Sequence, residues 1–180
     1  MRRFVLLSIA FGAVPLVVVA GVGTRAAAPY VHGARDALRQ APPGDRSPPR
    51  CYLSASRKVW PNQDSWVASS LLRDFGGASR QRYRVLRELF VMAVMRVAFS
   101  RDQRESLAAV HLPAYGGRGL TVSARAEFGL EPRDLTDSQV VWLLTVGQRP
   151  ICSKANQLPK VGRDQCDRLF RSLLGLLDSA

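Results

Sequence analysis

The residues from Phe4 to Gly23 form a run of twenty positions without one charged side chain. As a helix, such a run is about 30 Å long, which is the thickness of the hydrocarbon core of a bilayer. A cleaved signal peptide usually has a shorter apolar region. Pro29 also directly follows the one cleavage-like stretch, Ala26–Ala28, and is a poor residue there. We therefore expect residues 1–28 to form an uncleaved membrane anchor, with a cleaved signal segment as the alternative.

Arg2 and Arg3 precede the apolar run, and basic residues beside a membrane segment usually stay in the cytoplasm. This predicts a single-pass protein of the inner (cytoplasmic) membrane whose domain lies on the periplasmic or extracellular side. The basic residues Arg25, Arg35 and Arg39 behind the run favour the opposite orientation. Residues 29–63 include the proline-rich stretch 41–50 and are predicted to be a linker and domain entry, which leaves 64–180 as the domain.

The net charge is +12, and every basic residue except Lys58, Lys154 and Lys160 is arginine. Arginine suits bidentate recognition of phosphate, so the charge favours nucleic acid, anionic lipid or a phosphorylated substrate. The arginine content of a GC-rich genome is an equally good explanation. Export would separate the domain from nucleic acid, and no base-stacking or DNA-reading motif occurs, so no nucleic-acid partner is predicted.

The three cysteines, Cys51, Cys152 and Cys166, lack the CxxC spacing of metal sites, and neither histidine lies beside a cysteine. The residues themselves therefore predict no metal site and no cofactor. In an exported protein Cys152 and Cys166 can form a disulfide that leaves Cys51 free. The alternative is that all three are small buried apolar side chains.

Helical patterns account for most of the chain after residue 63, and no alternating strand pattern of any length occurs, so the fold class is mainly α. Pro113–Gly119 is predicted to be a glycine-rich loop. The predicted helices run from Asp64 or Ser65 to Phe75, over 79–99, from the capping residue Ser100 to about Val110, over 121–128 with its end at Gly129, from the capping residue Thr136 to Val146 with Gly147 and Pro150 as stops, and from about Gly162 to Leu177.

Two of these helices carry an apolar stripe that is predicted to face the core. Additional apolar residues, Val91, Met92 and Met95, indicate that the second half of the helix over 79–99 is buried on most sides. The stripes are Leu86, Leu89, Phe90, Ala93, Val94 and Val97 in that helix, and Cys166, Leu169, Phe170, Leu173, Leu174 and Leu177 in the last helix.

Several short motifs follow one another in an order that resembles the peptidoglycan glycosyltransferase family, found as the transglycosylase module of penicillin-binding proteins. The stretch from Asp64 to Phe75 is similar to the family's Gly-Ser-Thr-Ile-Thr-Gln-Gln-Leu-Val-Lys-Asn, with Ser65, Leu71, Arg73 and Asp74 in register. The further matches are Arg84-Val-Leu-Arg-Glu88, Ser100-Arg-Asp-Gln103, the glycine-rich Tyr115–Gly119, Glu127-Phe-Gly129 and Asp134-Leu-Thr-Asp-Ser-Gln139.

The resemblance implies a lysozyme-like helical fold behind a transmembrane helix, and synthesis of cell-wall glycan strands from lipid II. It implies a catalytic role for Glu88, the family's second glutamate, and substrate binding by Ser65, Arg73, Asp74, Arg84 and Arg87. It also implies a possible divalent metal ion, and a lipid-linked disaccharide-pyrophosphate or cell-wall synthesis proteins as partners. The alternatives are that Glu88 pairs with Arg84 on the helix surface and that the arginines of 73–87 form a solvated face.

The family's first catalytic glutamate has no counterpart, because Glu88 is the first glutamate of the chain. The acids ahead of Ser65 are Asp36, Asp45 and Asp64, and none has the phenylalanine, histidine and glycine context of that motif. A general base is worth about 10²–10⁴ in rate. We therefore expect a degenerate protein that is weakly active or inactive. The alternatives are a divergent active enzyme with Asp64 as replacement base, and an unrelated basic helical binding module.

Overall fold

The computed structural model describes residues 25–60, 63–75, 84–114, 117–149, 151–152, 154 and 159–178. Most of these residues are helical, which confirms the mainly-α class. Within this part of the chain no helix has the length and hydropathy needed to cross a bilayer. The apolar run from Phe4 to Gly23 lies outside the described residues, as do Arg80 and Arg82.

Helix α1 covers 25–40 of the described chain and is followed by the short helix α2. A hairpin of two short antiparallel strands, with Pro113 opposite Arg118, lies inside the predicted glycine-rich loop. The elements after α1 are α2 (Pro43–Arg46), α3 (Arg50–Val59), α4 (Gln63–Phe75), α5 (Arg84–Ala98), α6 (Arg101–Val110), β1 (Pro113–Ala114), β2 (Gly117–Arg118), α7 (Leu120–Phe128), a 3₁₀ turn (Pro132–Asp134), α8 (Asp137–Gln148) and α9 (Lys160–Asp178).

The predicted helix signals after residue 63 are largely confirmed. Ser100 and Thr136 are the N-caps of α6 and α8, and each forms the reciprocal capping box expected from its sequence. Gly129 ends α7 in the left-handed conformation, with a φ of 69°. Gly147 was wrongly predicted to stop α8, which continues to Gln148. A Cβ at Gly147 would lie 2.9 Å from the Leu112 side chain, so this glycine permits close packing instead.

The proline-rich stretch 41–50, predicted to be a linker, is packed against the rest of the chain. Pro43 is the first residue of α2 and Pro49 caps α3, which are positions where proline favours a helix start. Asp45 of α2 is buried, and its Oδ1 accepts hydrogen bonds from the Thr121 backbone at 2.6 Å and the Thr121 hydroxyl at 2.5 Å. This carboxylate therefore caps the first turn of α7.

Two hydrophobic clusters make up most of the interior. The C-terminal cluster joins α3, α7, α8 and α9 with the end of α6, and the N-terminal cluster joins α1, α4, α5 and α6. The C-terminal cluster contains Tyr52, Ala55, Val59, Ala109, Leu112, Leu120, Ala124, Leu135, Val140, Val141, Leu143, Leu144 and Leu173. The N-terminal cluster contains Tyr30, Ala34, Val67, Ala68, Leu71, Val91, Met95, Phe99, Leu107 and Ala108.

The predicted core stripe of α5 is wrong. The helix buries Val91 and Met95, whereas Leu86, Leu89 and Val97 of the stripe are exposed. Helix α4 packs against the side of α5 that carries Val91 and Met95. The apolar residues of α4 and α6 form the N-terminal cluster on that side. The stripe of α9 packs as predicted, with Leu173 buried in the C-terminal cluster.

Cys152 and Cys166 form a disulfide whose Cα atoms are 5.6 Å apart, and Cys51 is a free, half-buried thiol. Of the two alternatives, the structure therefore has the disulfide. It ties the start of α9 to the segment that follows α8, and Val146 and Trp142 pack beside it.

Candidate functional site

Ser65 and Glu88 lie in direct contact. Ser65 stands in the first turn of α4 and Glu88 in the second turn of α5, and the Ser65 hydroxyl donates a hydrogen bond to Oε1 of Glu88. Both residues are half-buried, so the contact lies at the edge of the α4–α5 interface. The fold thus joins two residues that the sequence places in separate motifs. No ion pair between Glu88 and Arg84 is present among the described residues.

The predicted substrate-binding arginines lie in different places. Arg87 of α5 donates a hydrogen bond to the hydroxyl of Tyr30 in α1 at 3.1 Å. Arg84 is exposed at the first residue of α5, one turn ahead of Glu88. Arg73 is exposed near the end of α4. Two guanidinium groups therefore lie on the same helix as Glu88, and the third lies at the far end of α4 from Ser65.

Asp74 belongs to a separate cluster. Its Oδ2 is 2.5 Å from Nη1 of Arg118 and 4.0 Å from Nδ1 of His111. Burial lowers the pKa of His111, and Arg118 and Arg73 lower it further, while Asp74 opposes them. Nε2 of His111 is buried without a hydrogen-bond partner within the described part of the chain. The structure thus gives Asp74 a role in holding the β-hairpin against the end of α4.

A charged cavity of about 160 Å³ opens beside the start of α4. Glu105 is buried and accepts two hydrogen bonds from Arg57, each at 2.7 Å, and one from Arg101 at 3.0 Å. These bonds, led by those from Arg57, lower the pKa of Glu105. The residues that line the cavity are Arg57, Trp60, Gln63, Asp64, Arg101, Arg104 and Glu105. Three guanidinium groups face two carboxylates, so the cavity has the charge to accept a small anionic group.

Asp64, the alternative general base, also lines this cavity. Its Oδ2 accepts a hydrogen bond from Arg96 at 2.8 Å, and its Oδ1 accepts one from Arg104 at 3.2 Å. Both carboxylate oxygens are therefore held by guanidinium groups of α5 and α6, an arrangement typical of an ion-pair network between helices. The sequence did not reveal this network, because Arg57 stands in the predicted linker and most of the paired residues lie more than 30 positions apart in the chain. The spacing of Arg101 and Glu105, i and i+4, was the one local signal.

The other two acids ahead of Ser65 also have local partners. Asp45 is buried against Thr121, and this burial raises its pKa even though the Thr121 hydrogen bonds favour the charged form. Asp36 pairs with Arg39 at 3.6 Å on the exposed side of α1. Asp45 therefore lacks the open setting that a base acting on a substrate hydroxyl requires, whereas Asp36 is exposed and paired with Arg39.

No group of three or more histidine, cysteine, aspartate or glutamate residues in the described segments could hold a metal ion. The divalent ion that the resemblance implies therefore has no matching ligand set in those segments, and we assign no chemical step to it.

No protein-family model, no curated protein and no solved structure matches this chain.

Proposed function

We propose that this chain is a membrane-attached, peptidoglycan glycosyltransferase-like protein with a lysozyme-like fold that binds a lipid-linked disaccharide-pyrophosphate and polymerises it weakly or not at all. The contact between Ser65 and Glu88 carries the proposal. The family resemblance assigns both residues to one site from two motifs that lie 23 positions apart. An accidental match of two motifs has no reason to bring their polar residues together.

The charges around this contact support binding of a pyrophosphate. Arg84 and Arg87 stand one turn or less from Glu88 on α5, and Arg87 is oriented by the Tyr30 hydroxyl. Guanidinium groups bind phosphate oxygens in pairs, and orientation by a neighbour reduces the entropy lost on binding. The cavity beside Asp64 adds further guanidinium groups close to the start of α4. This region therefore combines a carboxylate, a hydroxyl and several cations.

The acids of the described chain support weak or absent catalysis. Asp64 is held by Arg96 and Arg104, and Asp45 caps a helix inside the protein. Glu105 is held by Arg57 and Arg101. With these three carboxylates held by other groups, none of them is free to act as general base for the acceptor hydroxyl, and loss of a general base removes about 10²–10⁴ in rate.

Binding is tested with the purified full-length chain and a fluorescent lipid II, with affinity measured by anisotropy in detergent micelles. Ser65→Ala and Glu88→Gln should each weaken binding about tenfold, as expected for one lost hydrogen bond to a charged group. Glu131→Gln is the matched control, because Glu131 is an exposed glutamate paired with Arg125. Absence of binding by the wild-type chain, or equal effects of all three substitutions, would overturn the proposal.

Activity is tested by following lipid II polymerisation with the same preparation. We expect no glycan strands, or a trace that Glu88→Gln removes. Efficient polymerisation would support the divergent enzyme instead. Its loss in Asp64→Asn, together with intact folding by circular dichroism, would then identify Asp64 as the replacement base.

A further inference from the structure

Helix α5 presents an apolar face to the outside of the molecule. Val97 is 90% exposed, Leu86 is 65% exposed and Leu89 is 56% exposed. Successive residues of a helix are about 100° apart, so these three fall on one half of α5 with Phe90 and Val94, while Glu88 falls on the other half. The face is therefore separate from the contact between Ser65 and Glu88.

A groove of about 550 Å³ runs between this face and helix α1, and apolar atoms make up most of its wall. Ala28 and Val31 form the α1 side, and Phe90, Val94 and Val97 form the α5 side. Soluble monomers seldom expose a continuous apolar surface of this kind, and such surfaces usually contact a protein or a membrane. The α5 face and this groove are together called the α1–α5 surface.

We propose that the α1–α5 surface docks onto a lipid bilayer, with its apolar side chains among the acyl chains of the nearest leaflet. The position of the groove along the chain favours lipid. Its α1 wall begins at Ala27, four residues after the apolar run that ends at Gly23. Four extended residues span at most about 14 Å, so this end of the groove stays close to the end of that run.

The charges around the surface favour the same occupant. Arg35 lines the groove, and Arg96, whose Nε is bonded to Asp64, lies at the edge of the apolar face. Arginine stems lie along apolar surface while their guanidinium groups reach the headgroup phosphates. A second copy of this chain, with its net charge of +12, would instead bring like charges together. An apolar centre with a basic rim is therefore complementary to an anionic bilayer.

The proposal is tested on the full-length chain with an environment-sensitive nitrobenzoxadiazole fluorophore attached to Val97→Cys in a Cys51→Ala background. The matched control is Val161→Cys, because Val161 is also an exposed valine, 67% accessible, but lies on α9. Each labelled protein is reconstituted into vesicles of phosphatidylethanolamine and phosphatidylglycerol. One set of vesicles contains lipids that carry a nitroxide quencher on the acyl chain.

At position 97 we expect the emission to shift to the blue in vesicles, with at least a twofold loss of intensity from the nitroxide lipids. At position 161 we expect neither change. Replacing phosphatidylglycerol by phosphatidylcholine should reduce the quenching at position 97, because the basic rim then loses its anionic partner.

Three results would overturn the proposal. A water-like emission at position 97 in vesicles would show that the face stays in solvent. A blue shift without nitroxide quenching would show that protein covers the face, either a second copy or the apolar run of the same chain. Equal quenching at positions 97 and 161 would show non-specific insertion. None of these results depends on lipid II, so the proposed function stands or falls separately.

Discussion

Helices α5 and α9 have apolar stripes of the same spacing and use them in opposite ways. The stripe of α9 packs against α3 and α8, with Leu173 buried in the C-terminal cluster. The stripe of α5 faces outwards, and the helix is held by Val91 and Met95 on its other side. An apolar periodicity thus identifies the apolar face of a helix, whereas the positions of the neighbouring elements determine whether the rest of the protein covers that face.

The two sides of α5 provide the largest expected contrast. Met95→Ala should lower the free energy of unfolding by about 3–4 kcal/mol, because it leaves a cavity in the N-terminal cluster. Val97→Ala should change it by less than about 0.5 kcal/mol, because Val97 has little protein around it. Urea unfolding of the detergent-solubilised chain, followed by circular dichroism, measures both. Equal losses would mean that protein covers the outer face, which would remove the contrast with α9.

Helix α9 is held by a disulfide, whereas α5 has none within the described residues. Replacing Cys152 and Cys166 by alanine should cost about 3 kcal/mol, because the disulfide closes a loop across a sequence separation of 14. Cys51→Ala is the control, and its effect should be below about 1 kcal/mol because that thiol is half-buried and free. Dithiothreitol should destabilise the wild-type chain as much as the double substitution does. No response to reductant would show that packing alone holds α9.

A smaller effect is expected at Glu105, which links α6 to α3 through Arg57. Glu105→Gln should cost about 2 kcal/mol at pH 7, because it weakens hydrogen bonds to charged donors. The pKa of Glu105 is lower in the folded chain than its ordinary value of 4.5, so the folded state binds fewer protons. The stabilisation is therefore present above about pH 4.5 and is lost as the pH falls through the folded value.

The stabilities of the wild-type chain and Glu105→Gln should accordingly converge as the pH falls below about 4.5. Glu131→Gln serves as control, since Glu131 is exposed and its pair with Arg125 should contribute little. A difference between wild type and Glu105→Gln that stays constant from pH 7 to pH 3 would contradict the prediction.

Local signals explain what the sequence could predict. The capping boxes at Ser100 and Thr136 and the glycine at 129 involve neighbours within a few residues, so they were correctly identified. Helices α2 and α3 were missed because their prolines were interpreted as a linker, although Pro43 and Pro49 stand at helix starts. The outward face of α5 could not be predicted, since periodicity carries no information about neighbouring elements.

The candidate site divides in the same way. The structure brings Ser65 and Glu88 into contact, and each residue stands in register within its own motif of the family resemblance. It did not reveal that Asp64 is held by Arg96 and Arg104, which are 32 and 40 positions away. Ion pairs of this kind depend on how helices cross, and no local pattern encodes a crossing angle. The fold thus places Asp64 in an ion-pair network that its neighbours in the sequence do not indicate.

The buried carboxylate of Asp45 limits how far α1 can move relative to the rest of the fold. A flexible tether of ten residues would let a domain wander by about 18 Å from its attachment point. Because Asp45 fastens the stretch 41–50 to Thr121 on α7, that slack is removed. A Cβ at Gly119 would collide with the same carboxylate, so the fastening also depends on a glycine. The orientation of α1 is consequently coupled to the orientation of the helices that follow residue 50.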